Sequence, residues 1–124
     1  EADTHFIARL SLCEVLLMND SRFPWLILVP AISGATEIVD LDGEQRDALW
    51  HDVDTASQVL RQLTRCEKLN IGALGNIVRQ LHVHIIGRYA ADAAWPGPVW
   101  GSGTAEPYDD VAARAIVGDI RSRF

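Results

Sequence analysis

The stretch Gln80-Leu81-His82-Val83-His84-Ile85-Ile86-Gly87-Arg88 opens with strict polar–apolar alternation, the pattern of a half-buried strand. The alternation predicts Gln80, His82 and His84 on one face and Leu81, Val83 and Ile85 on the other. Val, Ile or Thr would suit such a face better. Two neighbouring imidazoles suit a place where protons or phosphates are handled, because the unperturbed histidine pKa lies near neutrality. Two other readings stay open on these residues alone. One is a solvated sheet face that carries two histidines by chance. The other is a pair of zinc ligands, although no Cys, Asp or Glu stands nearby in sequence to complete the set.

The elements that must position this strand are legible on either side of it. Phe6 to Leu10 and then Ser11 to Met18 read as extended chain, and Asn19 to Arg22 as a turn cluster. Trp25 to Val29 reads as a strand buried on both faces, punctuated by Pro24 and Pro30, and paired with the preceding strand as a hairpin. The spacing predicts a helix over Asp42 to Cys66, with Asp42 and Gln45 forming a capping box and Leu49, Val53, Ala56, Leu60 and Leu63 forming an apolar stripe. His51 falls opposite that stripe, on the solvent side, and His5 has no sequence partner. A short strand over Leu69 to Ile71 leads into a glycine-containing loop, Gly72 to Asn76, where glycine permits positive φ and close backbone approach.

Pro96 and Pro98 forbid helix or central strand in Trp95 to Gly101. That loop is either stapled to the core by its indoles or serves as a pocket wall or dimer contact. Asp109 or Asp110 caps a last helix running to about Arg121, with Val111, Ala115 and Ile116 on one side. Strands, one long helix and more strands without regular βαβ alternation imply an α+β fold with a mainly antiparallel sheet.

A chain of 124 residues with 48% hydrophobic content is one globular domain, and no apolar run approaches the roughly 20 residues that span a bilayer. A net charge of −6 argues against binding the backbone of DNA or RNA, but not against a single nucleotide in a pocket. Cys13 and Cys66 are far apart and lie in apolar segments, so they read as core thiols of a reducing, cytoplasmic compartment. No secretory leader pattern is seen at the N-terminus.

The stretch Gln80-Leu81-His82-Val83-His84-Ile85-Ile86 resembles the His-φ-His-φ-His-φ-φ motif of the histidine triad (HIT) family, with Gln80 in place of the first histidine. The likeness extends to Leu28-Val29-Pro30, to the Gly-x-x-Gly-Asn loop from Gly72 to Asn76, and to Asp20-Ser21-Arg22-Phe23-Pro24-Trp25. With Trp95-Pro96-Gly97-Pro98-Val99-Trp100-Gly101 it resembles a small bacterial branch of that family, over about residues 5 to 105, followed by a helix at about 108–122. The resemblance implies a single domain over 1–124 with a five-stranded antiparallel sheet and two main helices, pairing as a homodimer. It implies a purine nucleotide derivative, a phosphoramidate or dinucleoside polyphosphate, attacked at its α-phosphate through a nucleotidyl-histidine.

By that resemblance His82 is the nucleophile, His84 its phosphate or leaving-group partner, and Gln80 a supporting residue that cannot titrate. Gly75, Asn76, Asn70 and Asp20 match substrate-binding positions. Arg88 is either a replacement positive charge near phosphate or a strand-end arginine paired with a carboxylate. No metal ligand set and no bound cofactor are implied, though magnesium would accompany a polyphosphate substrate. A family histidine is replaced by Trp25. Together with Gln80, that change motivates the alternative of a nucleotide-binding module with little turnover.

Overall fold

The structure, a computed structural model, describes residues 3–124. Strands β1 (Thr4–Arg9), β2 (Cys13–Met18), β3 (Trp25–Pro30), β4 (Lys68–Gly72) and β5 (Val83–Arg88) form one sheet in the order β1-β2-β3-β5-β4. Every neighbouring pair is antiparallel. This is the α+β architecture that the alternating runs and the single long helix imply. The β2–β3 hairpin forms across the turn at Asn19–Arg22, as the sequence reads.

Helix α1 (Gly43–Thr64) starts at the expected cap. The Asp42 carboxylate accepts from the Gln45 N–H, and the Gln45 side chain accepts from the Asp42 N–H. It ends two residues before Cys66, because Arg65 turns left-handed at φ 54°. Its stripe of Leu49, Val53, Ala56 and Leu60 packs on one face of the sheet against Val15, Leu17, Leu26, Leu28, Val83 and Ile85.

Helix α2 (Asp110–Arg121) is capped by Asp109, which accepts from Ala112 N–H. Its inward face is Ala113, Ile116, Val117 and Ile120, not Val111, Ala115 and Ile116: Val111 and Ala115 are exposed. The stripe that wins continues at the 3–4–7 spacing for two turns, which the alternative does not.

The histidine strand also departs from expectation, beginning at Val83 and not at Gln80. Leu81 N–H is taken by the carbonyl of Ala35 at 2.9 Å, so residues 80–82 follow a loop and not the ladder. Nor is the His84 face open. Phe23, Trp25, Ile27, Ile86 and Val99 form a second apolar cluster there, with Trp100 and Ala94 packed against it. The sheet therefore has a core on both faces at β5, and every residue of that strand is buried.

Candidate active site

β5 runs between β3 and β4, which sets His84 opposite Ile27 on one side and Gly72 on the other. Gly72 leaves room there. A Cβ at that position would stand 3.1 Å from Cη2 of Trp100, whose ring meets His84 edge-on with centroids 5.4 Å apart. His84 is thereby enclosed, with 5% of its surface exposed.

From β3, the indole Nε1–H of Trp25 donates to Nδ1 of His84 at 3.0 Å. Indole is a donor only, so Nδ1 holds a lone pair and the neutral ring carries its proton on Nε2. Burial foremost, and then the neighbouring His82, lower the His84 pKa to about 4.

His82 lies just before the strand and is half-buried. Its Nδ1 is 2.7 Å from the carbonyl oxygen of Gln80. A carbonyl only accepts, so Nδ1 carries the hydrogen and Nε2 keeps the lone pair of a nucleophile. The two imidazole centroids are 5.0 Å apart. Gln80 thus serves through its backbone, while its side-chain amide donates to the Ile32 carbonyl at 3.4 Å.

Both histidines line a cleft of about 460 Å³, in the range of small-molecule sites. Gly75 and Asn76 line it too, with Gly75 at φ +70°, where glycine is the residue that fits without strain. Met18, Leu74 and Val99 supply apolar wall, and Trp100 closes one side, so the Trp95–Gly101 segment is a pocket wall. A larger hollow of about 590 Å³ lies between α1 and β4, but no histidine or cysteine lines it. Among the described residues, no three of His, Cys, Asp and Glu stand close enough to hold a metal ion.

Asp20 reaches the cleft, but its oxygens are occupied. Arg22 donates to them from Nε at 3.0 Å and Nη2 at 2.8 Å. Burial pushes the Asp20 pKa up, yet the Arg22 side chain and the N–H groups of Arg22 and Glu106 outweigh it and hold the carboxyl below its usual range. Arg22 also donates to the Ser102 carbonyl at 2.8 Å and is the cation of the cleft. In the sequence it belongs to a polar turn cluster that carries no signal of a cleft.

Arg88 and Asn70 do not line the cleft. Arg88 is 1% exposed and donates to Asp92 at 2.8 and 3.0 Å and to the Asn70 side-chain carbonyl at 2.8 Å. The strand-end pairing with a carboxylate is therefore the arrangement found, and it uses the Asn70 acceptor as well. Hydrogen bonds from Arg88 hold the Asp92 carboxyl well below the usual range despite its burial, helped by the N–H groups of Tyr89, Ala94 and Trp95. The pair acts as a post that anchors the segment carrying Trp100. His51 is exposed on α1, and His5 lies on β1; neither lines the cleft.

Comparison with known proteins decides the family, since the HIT domain model matches residues 1–91. The chain belongs to the HIT domain family. It is similar to a solved histidine triad protein from Sinorhizobium meliloti, at 45% identity and TM-score 0.95, covering 99% of this chain and 91% of that one. Another, from Bradyrhizobium japonicum, is 44% identical with TM-score 0.94, covering 98% and 91%. A third, from Marinobacter aquaeolei, is 43% identical with TM-score 0.95, covering 98% and 89%. No curated protein matches. The five-stranded antiparallel sheet with two helices is the HIT fold of these bacterial neighbours. Membership carries nucleotide-binding hydrolase or transferase chemistry at the level of the family. Among the described residues, no helix is long and apolar enough to cross a membrane.

Proposed function

We propose that this HIT protein is a nucleotide phosphohydrolase or nucleotidyl transferase that attacks the α-phosphate of a purine nucleotide derivative through Nε2 of His82. The observation that carries this reading is the 2.7 Å bond between Nδ1 of His82 and the Gln80 carbonyl. It fixes the tautomer whose free nitrogen is the nucleophile, and the carbonyl stabilises the positive charge that grows on the ring as the nitrogen–phosphorus bond forms. Nε2–H of His84 would donate to a non-bridging phosphate oxygen. Gly75, Asn76 and the guanidinium of Arg22 would serve the remaining phosphate oxygens, and Met18, Leu74 and Val99 offer an apolar wall to a purine. Water then cleaves the nucleotidyl-histidine and releases the nucleoside monophosphate. Magnesium would travel with the phosphates of a polyphosphate substrate.

We also propose that the protein works as a homodimer. Among the described residues β4 pairs with β5 alone, and Ile71 on that strand and Trp50 on α1 are 46% and 48% exposed.

His82→Ala is expected to abolish turnover of a purine nucleotide substrate while nucleotide affinity stays within about tenfold, because the loss lies in covalent chemistry. Steady-state kinetics paired with equilibrium titration check this. A mutant that retains wild-type turnover would sink the assignment. Wild-type protein that binds nucleotide without product or adduct would make it a binding module.

A further inference from the structure

Among the described residues, four titratable side chains line the cleft: Asp20, Arg22, His82 and His84. Asp20 and Arg22 are paired with each other. His82 is the nucleophile of the reading above, with its Nδ1 proton held by the Gln80 carbonyl. That leaves His84 as the one group that would protonate a departing atom. The elements around it offer it no charge: β3 presents Trp25 and Ile27, β4 presents Gly72, and the covering segment presents Trp100. Asp3 lines a smaller adjoining hollow with Gln80 and both histidines, and His82 is the titratable ring against which His84 packs.

Trp25 decides what His84 can do. With an indole N–H directed at Nδ1, a second proton on the ring would set two donors against each other inside an apolar cluster. We propose that Trp25 is a positioning residue that locks His84 as a neutral hydrogen-bond donor, and thereby commits the site to phosphoric anhydrides in preference to phosphoramidates. This rests on the catalytic reading of His82 and names its substrate class.

The bond balance explains the preference. With an anhydride, Nε2 of His82 bonds to the α-phosphorus. The bond to the bridging oxygen breaks, and its electron pair leaves on a phosphate that is stable as an anion. No proton has to move, and His84 only donates a hydrogen bond to the phosphoryl oxygens. With a phosphoramidate the breaking bond leaves its pair on nitrogen, and that nitrogen must gain a proton to depart as an amine. A neutral imidazole N–H is far too weak an acid to supply it, and Gln80, at the first motif position, has no proton to give. The low pKa of His84 agrees with this, since the ring is neutral at pH 7.

The test compares diadenosine triphosphate, with magnesium, against adenosine 5'-phosphoramidate, in wild type and in Trp25→Phe, from pH 4 to 8. Wild type is expected to prefer the anhydride by about a hundredfold in kcat/KM at pH 7, the usual worth of a missing general acid. Folded Trp25→Phe should narrow that preference near neutral pH, by letting His84 hold a second proton that it can give to the departing nitrogen. Nitrogen-15 spectra of the wild-type imidazoles give a readout independent of turnover and of whether the variant folds: His84 should show a bare Nδ1 and a protonated Nε2 at pH 7. Equal or better use of the phosphoramidate by a protein that still forms nucleotidyl-His82 would overturn this inference and leave the catalytic reading standing. A protonated Nδ1 on His84, or an unchanged preference in folded Trp25→Phe, would overturn it as well. Turnover of neither substrate, with no adduct, would overturn both.

Discussion

A carbonyl oxygen only accepts and an indole N–H only donates, so each imidazole of the cleft has its tautomer set by a neighbour that cannot reverse its role. For His84 this has a consequence for stability. Burial, then His82, hold its pKa at about 4, against 6.5 for a free side chain. Between those values the unfolded chain binds a proton there that the folded chain refuses. Stability from this residue is complete above pH 6.5 and falls as pH drops toward 4, by at most about 3 kcal/mol. Urea midpoints measured across that window check it: His84→Asn should flatten the slope, and an unchanged slope would assign the titration to another group. The histidines themselves were legible in sequence, because two imidazoles two residues apart need no fold to be noticed. Their partners were not. Trp25 reads as the absence of a family histidine until the β3–β5 register brings it to His84. Arg88 reads equally as a phosphate ligand or a buried ion pair, and only its enclosure with Asp92 separates the two. Arg22 lies in a turn whose composition signals nothing beyond a turn.

At the scale of elements, α1 is tied to the β1–β2 hairpin by one buried carboxylate. Asp52 accepts from Ser11 Oγ at 2.8 Å and from the N–H groups of Leu12 and Cys13 at 2.9 Å each. Burial, and then this carboxylate, push the Cys13 thiol up to about 12, which leaves it inert as a nucleophile near neutral pH. Asp52→Ala strands buried N–H groups and is expected to cost about 3 kcal/mol in chemical denaturation; a cost near zero would contradict the tie. The sequence made α1 legible because its cap and its stripe agree with each other. Asp52 is not legible there, since one acidic residue among the polar positions of a helix shows its inward turn only once the hairpin is in place. The apolar face of α2 is not legible in its short, alanine-rich sequence, which offers two competing stripes. The histidine strand is three residues shorter than its alternation suggests, because the pattern persists through Gln80–His82 while the Leu81 N–H bonds elsewhere.

At the scale of the molecule, the two edges of the sheet differ. β1 carries a register shift between Phe6 and Ala8, and Arg121 of α2 donates to the freed carbonyls of Ile7 and Phe6 at 2.7 and 3.0 Å. Among the described residues, no comparable cover lies over β4, whose edge stands beside exposed Ile71 and Trp50. Sedimentation at tens of micromolar is expected to give twice the chain mass for wild type and the single mass for Ile71→Lys. A wild-type monomer would contradict pairing across this edge. Charge and hydropathy along the chain gave no warning of this asymmetry, which depends on where α2 lands.

The most direct test of the account is to mix wild-type protein with an α-labelled purine dinucleoside polyphosphate, denature it within milliseconds and locate the label. Covalent nucleotide on Nε2 of His82, absent from His82→Ala, is the predicted result. Product released with no label ever held on His82, or label held on His84, would contradict it.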